Sequence, residues 1–349
     1  MSSNPPECKE SAPKPHPVLG ARANHSAPDT PLRSLARRVL PSMVFHLSRA
    51  SWQWLYDQIP DRFVQASHFK RTFGRELNLA APKTFNEKIQ WLMLYHRIPE
   101  VTRLADKYEV RSYVAQQVGN WLLNDLFGVW DDPFAVAFDQ LPESFVLKVT
   151  SGSGKNIFCR DKSRLDVEKT RRQLARWMKR SEYWRAREWC YKNIEPRIIC
   201  ERLLTDEGGA IPSDFKFFCF DGEPLFVQLD TDRFTNHRRD LFDLDWKPLP
   251  FSFEYPSSGP NVQRPHNLET MISAARALSR GFPFVRVDLY SILERVVFGE
   301  MTWYPEGGLG RFIPDIYDLH LGEALTLPKT SNSGLVRGLS SRVGWPSHS

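Results

Sequence analysis

The chain is poor in cysteine and has no long apolar run. Of its 349 residues only five are cysteines (Cys8, Cys159, Cys190, Cys200 and Cys219), an odd number with no Cys-x-x-Cys spacing. This argues against a disulfide framework and a thiolate zinc site, and fits a reducing, cytoplasmic compartment. No uncharged apolar stretch approaches the roughly 18 residues of a membrane span. The opening MSSNPPECKESAPKP has no apolar core of the kind a secretory signal needs. There is no internal repeat, and no serine or cysteine nucleophile motif.

What is present suits a soluble globular protein: 41% hydrophobic, 25% charged and 13% aromatic residues. The length leads one to expect about two domains. Forty-seven Lys and Arg against 41 Asp and Glu leave a net charge of +6, which suggests an anionic partner. The excess reads as modest and spread along the chain, with no zinc-finger spacing and no RNP1-like motif, so nucleic acid is not expected.

Residues 1–31 hold seven of the 26 prolines and almost no large apolar side chains, and read as a disordered tail. Residues 329–349 read the same way. Between Leu32 and Tyr56 arginines interleave with aromatics. A helical cap is the expected role, broken at Pro41, with peripheral membrane contact through 32–56 as the alternative. Thr84 followed by Glu87 is a capping box, and a second helix is expected over roughly 100–118. A helical N-terminal region would thus occupy 32–140.

From 141 to 328 the character changes to strands broken by single helices. The β-rich runs are 145–149, 156–160, 197–204, 214–220, 225–232, 284–291 and 295–303, with helices at Asp166 onward and over 268–280. Asp221-Gly222 and Asp206-Glu207-Gly208-Gly209 supply turns. The expected class is α+β with mostly antiparallel strands.

Three constellations could carry chemistry. Ser151-Gly152-Ser153-Gly154-Lys155-Asn156 joins two strands and could close over a phosphate through backbone N–H groups, although a plain hairpin turn explains it as well. It is not a Walker A loop, since Val149 and Asn156 stand where Gly and Ser/Thr are required. Lys148 lies inside the apolar run just before this loop, where it needs an anion unless it faces solvent. Asp288 and Glu300 lie in two strands joined by a short turn and could converge on one face, suiting Mg²⁺ shared with substrate phosphates. Arg286 falls on the face of Asp288, and cross-strand ion pairs would explain the same set. Finally, Asp214-Phe-Lys216 and the stretch Asp230-Thr-Asp232-Arg233 to Asn236-His237-Arg238-Arg239 form a charged group that could bind an anionic substrate or be a solvated run.

These motifs, in this order, resemble the teichuronopeptide-biosynthesis type of ATP-grasp protein, found among bacterial surface-polysaccharide genes. The resemblance rests on Thr84-Phe-Asn-Glu-Lys-Ile-Gln-Trp-Leu, Ala105-Asp-Lys-Tyr-Glu-Val-Arg, Phe145-Val-Leu-Lys with its SGSG loop, Asp214-Phe-Lys-Phe-Phe-Cys-Phe-Asp-Gly-Glu-Pro, Asp232-Arg-Phe-Thr-Asn-His, Pro283-Phe-Val-Arg-Val-Asp-Leu-Tyr and Phe298-Gly-Glu-Met-Thr-Trp-Tyr-Pro, and covers about residues 60–328. It implies an ATP-grasp fold, two α+β subdomains holding ATP between their sheets. Lys107 and Lys148 would reach the nucleotide, the 151–155 loop would be the flap, and Glu201 with Arg202 to Leu203 and Leu204 would meet the adenine. Lys216 and Arg286 would hold phosphates, and Asp288, Glu300 and Thr302 would bind Mg²⁺. Thr302 departs from the superfamily, where Asn is usual. Asp232, Arg233, Asn236, His237 and Arg238 would hold the substrate.

The implied activity is carboxylate–amine ligation through an acylphosphate. The partners would be ATP, an acidic small molecule or glycan such as a uronic acid, and an amine. A glycosyltransferase remains the alternative, because Asp230-Thr-Asp232 and Asp243-Leu-Asp245 fit the DxD string, as does a nucleotide-binding scaffold without turnover.

Overall fold

The computed structural model describes residues 56–231, 236–259 and 262–329. The two expected tails and the 32–56 segment lie outside them, save Tyr56 and Lys329. The chain divides after Gln58, and every element below belongs to the unit Ile59–Ser349.

Four helices come first: α1 (Asp61–Phe73), α2 (Phe85–Tyr95), α3 (Pro99–Ala105) and α4 (Val110–Gln117). The capping box closes as expected. Thr84 Oγ1 accepts from Glu87 N at 3.3 Å, and Glu87 Oε2 accepts from Thr84 N at 3.2 Å. The single helix expected over 100–118 is two. Asp106 breaks it, because its Oδ1 accepts from the backbone N–H groups of Tyr108 and Glu109 at 2.7 and 3.0 Å. A carboxylate that caps a helix start favours a break over continuation. The break leaves Lys107 outside either helix.

The first sheet has the order β1-β4-β2-β3 and is antiparallel throughout, with β1 (Leu126–Trp130), β2 (Phe145–Val149), β3 (Asn156–Cys159) and β4 (Ile198–Glu201). β1 lies upstream of residue 141, within the stretch expected to be helical. It is only five residues long, with Gly128 at a register shift, so it has almost no alternation to read. Helix α5 (Val167–Met178), N-capped by Asp166, covers one face, where Leu147, Val149, Ile198 and Cys200 bury around Leu174. The single turn α6 (Tyr183–Ala186) follows.

The remaining strands are β5 (Asp214–Phe220), β6 (Glu223–Thr231), β7 (Arg238–Phe242), β8 (Ser252–Phe253), β9 (Phe284–Ile292), β10 (Arg295–Thr302) and β11 (Phe312–Ile313). Five form the second sheet, order β10-β9-β5-β6-β7, again antiparallel, while β8 pairs with β11 alone. β5 and β6 are joined by Asp221 and Gly222, both at positive φ (49° and 84°), the geometry of a tight Asp-Gly hairpin.

The two faces of this sheet differ. On one, Phe215, Phe217, Val287 and Leu289 are buried, and helix α7 (Leu268–Ser279) packs on the sheet. The other face changes along each strand, from Phe218 to Lys216 to Asp214, from Phe284 to Arg286 to Asp288, and from Phe226 to Gln228 to Asp230. Its aromatic half joins Phe85 of α2 and Phe253 and Phe312 of the small sheet in one cluster. Helix α8 (Ile316–Ala324) locks to α2 through Lys88 Nζ, which donates to the carbonyls of Gly322 and Leu325 at 2.7 and 2.8 Å. The polar half is left for chemistry.

Candidate functional site

The polar half of the second sheet is built by register. Gln228, Lys216, Asp288 and Glu300 are neighbours across β6, β5, β9 and β10. Glu300 reaches this row only through a bulge at Gly299. In a regular strand it would share the face of Phe298, which pairs with Leu289 on the α7 side; the extra residue turns it to Asp288 instead. Gly299 suits that place because a Cβ there would lie 2.9 Å from the Asp288 carbonyl oxygen.

Every charge in the row is paired. Lys216 Nζ lies 2.8 Å from Asp214 Oδ2, 3.1 Å from Asp288 Oδ2 and 3.9 Å from Asp230 Oδ2. Arg286 grips Asp288 with two bonds of 2.7 Å and donates to Thr302 Oγ1 at 3.1 Å. Thr302 in turn lies 3.4 Å from Glu300 Oε1. Lys107, placed by the break at Asp106, donates to Glu300 Oε2 and to the Gly152 carbonyl, both at 2.9 Å. Burial alone would raise the Glu300 carboxyl, but Lys107 and Arg286 overcome it and hold the group well below the usual range.

Lys107 therefore links the second sheet to the loop of the first. In that loop Gly152 has φ +119°, and a Cβ there would lie 2.1 Å from Glu182 Cγ, so only glycine fits. Ser151 and Gly152 are buried, and Ser153 and Gly154 form the exposed tip. Lys155 does not face outward with them. Its ammonium is buried and donates to the carbonyls of Ser151, Trp177 and Arg180 at 3.2, 3.1 and 2.6 Å, tying the loop to the end of α5. On the neighbouring strands Lys148 Nζ meets Glu201 Oε2 at 2.8 Å, so the anion its strand position calls for is a carboxylate of β4. Arg111 of α4 holds the other oxygen, Oε1, at 2.7 Å. Leu203 lines an open cleft of about 940 Å³ with Arg202, Leu204 and the β9–β10 turn.

The other substrate candidates divide. Asp232 and Arg233 lie outside the described residues. Asn236 is exposed, and His237 Nε2 sits 3.4 Å from Asp230 Oδ1 with its ring 3.8 Å from that of Tyr255, centre to centre. Arg238 does not face Asp230. Arg239 is the side chain beside Asp230, its register partner, at 2.7 Å from Oδ1, and alternation turns Arg238 to the opposite face. Burial would raise the Asp230 carboxyl. His237, Arg239 and Lys216 together hold it far below its ordinary range.

Three residues of this site were not singled out from the sequence: Arg111, Gln228 and Glu306, whose Oε1 lies 3.3 Å from Arg239. Asp230 and Arg239, expected as part of a charged group or a solvated run, are both buried and paired with each other.

The donor set suits Mg²⁺. Among the described residues no three His, Cys, Asp or Glu side chains gather as a metal-binding group. Two carboxylates side by side, Asp288 and Glu300, are what a magnesium ion shared with substrate phosphates needs. Lysines and arginines thus surround paired carboxylates between two antiparallel sheets, with a glycine loop at the edge, groups of the kind that can meet phosphate oxygens. The sequence agrees: the model of the TupA-like ATP-grasp family matches residues 87–326. The chain belongs to that family.

Solved structures similar to it include an ADP complex of purK, N5-carboxyaminoimidazole ribonucleotide synthetase. It is 11% identical with a TM-score of 0.38, over 62% of this chain and 50% of that one. The D-alanine–D-alanine ligase of Bacillus anthracis with ATP is 13% identical with a TM-score of 0.35, over 69% and 63%. The ATP-grasp ligase PsnB with minimal precursor, Mg and ADP is 11% identical with a TM-score of 0.35, over 62% and 57%. The chain thus spans half to under two thirds of their lengths. No curated protein matches the sequence. Among the described residues no helix is long and apolar enough to cross a membrane.

Proposed function

We propose that the chain is an ATP-dependent carboxylate–amine ligase of surface-polysaccharide synthesis, working in the cytoplasm. The observation that carries this is the row Lys216–Asp288–Glu300 with Arg286, tied by Lys107 to the glycine loop beside Lys148.

In the reading a substrate carboxylate oxygen attacks the γ-phosphorus of ATP, the bond to the β-phosphate oxygen breaks, and an acylphosphate and ADP result. An amine nitrogen then attacks the acyl carbon, loses a proton, and phosphate leaves as the amide forms. Such transfer needs placement and charge neutralisation, and no protein nucleophile. Lys107 and Lys148 would exchange their carboxylate partners for phosphate oxygens, and Lys216 and Arg286 would hold the transferred group. Leu203 and its neighbours would line the base end. Asp288, Glu300 and the Thr302 hydroxyl would hold Mg²⁺, which when bound neutralises the phosphate oxygens. Arg239, His237 and the 232–238 stretch would receive the acidic substrate, such as a uronic acid, and the amine.

The competing reading is a glycosyltransferase that would use Asp230-Thr-Asp232. Purified protein with ATP, Mg²⁺, uronic acids and amino acids is expected to release ADP and phosphate only when both a carboxylate and an amine are present. Stabilisation by a UDP-sugar and not by ATP–Mg²⁺ would favour the transferase, and ATP binding with no ADP from any pair would leave a scaffold.

A further inference from the structure

One segment carries the largest local excess of charge in the chain. Residues 160–185 hold ten Lys and Arg against four Asp and Glu, an excess of +6 that equals that of the whole chain. The remainder is balanced, so the even spread expected from composition does not hold.

Helix α5 organises this segment. Lys169, Arg172, Arg176, Lys179 and Arg180 recur at three- and four-residue steps, and all five are exposed. At 100° per residue they share one face, while Leu174 and Thr170 on the opposite face bury toward the first sheet. Carboxylates do not quench the stripe. Glu168 lies 3.9 Å from Arg172, Arg176 bonds only Gln173, and Lys169, Lys179 and Arg180 have no carboxylate partner among the described residues. Arg164 and Arg185, also exposed, flank the helix in sequence, Arg185 with Glu182 at 3.7 Å.

We infer that this face of α5 binds a linear polyanion carrying carboxylates, an acidic polysaccharide chain. A row of cations spaced about 5 Å apart along a helix matches charges repeated along a polymer, and guanidinium forks suit carboxylates. A single-stranded nucleic acid would call for aromatic stacking platforms, and no stripe position is aromatic. A helix that inserts into a bilayer would call for an apolar face, and that of α5 is spent on the core; purely electrostatic attraction to an anionic bilayer is what the vesicle probe below separates. The surface does not depend on the nucleotide reading.

The test uses the full chain and polygalacturonate, with anionic phosphatidylglycerol vesicles and a single-stranded oligonucleotide as competing probes. The stripe variant carries Lys169→Gln, Arg172→Gln, Arg176→Gln and Lys179→Gln. A control of equal charge change carries Lys70→Gln, Arg71→Gln, Lys247→Gln and Arg264→Gln, all exposed and distant in sequence. Wild type and control bind polygalacturonate with an affinity that falls as salt rises, and the stripe variant binds about tenfold more weakly or worse while melting like wild type. Equal binding by the stripe variant overturns the proposal. So does a wild type that ignores polygalacturonate, or one that prefers vesicles or the oligonucleotide.

Discussion

Glu188 shows how the charged face constrains a single residue. Burial, with the charges of Glu182, Glu306 and Glu300 added, pushes its carboxyl up from 4.5 to about 8 against the opposing pull of Arg185. Between those two values the unfolded chain is ionised there and the native protein holds a proton. Unfolding then releases that proton, and native stability falls as pH rises from about 4.5 toward 8. Below 4.5 both states are protonated, and above 8 both are ionised, so the loss is confined to this window. Glu188→Gln removes the titration. Its melting temperature relative to wild type is expected to climb with pH across the window, and parallel melting profiles for the two proteins would show that Glu188 does not titrate so.

The residues legible in the sequence were those with a reason local to their own strand. Lys148 in an apolar run asks for an anion, and it has Glu201. Asp288 and Glu300 in adjoining strands were expected to converge, and they do. Lys155 is expected with the loop that could close over a phosphate; that it caps the carbonyls of Trp177 and Arg180 depends on a helix end twenty-two residues away. Arg238 and Arg239 differ only in parity, which no sequence pattern settles in a strand this short.

At the scale of elements the bulge at Gly299 decides the geometry. It is the device that takes Glu300 off the apolar face and sets it opposite Asp288. Gly299→Ala brings a Cβ to 2.9 Å from the Asp288 carbonyl oxygen and 3.1 Å from the Tyr290 ring, so backbone or ring must move. The expected result is roughly 10–100-fold weaker Mg²⁺ dependence of ATP binding, as for losses of metal-orienting groups elsewhere. An unchanged Mg²⁺ midpoint, measured by titrating metal at fixed ATP, would mean that the bulge does not set the carboxylate pair.

Strands with clear alternation or apolar runs, β2 to β6, β9 and β10, were readable beforehand. β7 was not, because Arg238-Arg239-Asp240 in a strand reads as a loop until Asp230 and the Ser257–Ser258 turn supply the partners of Arg239 and Asp240. β1, β8 and β11 are too short to show a period. The helix break at Asp106 was hidden by continuous helical spacing on both sides of it.

At the scale of the molecule, each antiparallel sheet holds its own ion pairs, Lys148 with Glu201 in the first and those of Lys216 and Arg286 in the second, and Lys107 is the direct link between the glycine loop and the carboxylate row. That is why the family match over residues 87–326 and the geometry agree: the part of the chain that matches is the part that holds both sheets. The net charge, by contrast, says little about this site, where cations and carboxylates nearly balance; its largest local excess lies in residues 160–185, around α5.

The central claim, that these pairs open to take ATP and Mg²⁺, is tested most directly by calorimetric titration of ATP into the purified chain with Mg²⁺ and with chelator. The account predicts saturable binding with Mg²⁺, much weaker binding in chelator, and loss of binding in Lys148→Ala with the melting transition kept. Absence of ATP binding by the wild type, or equal affinity in Lys148→Ala, would contradict it.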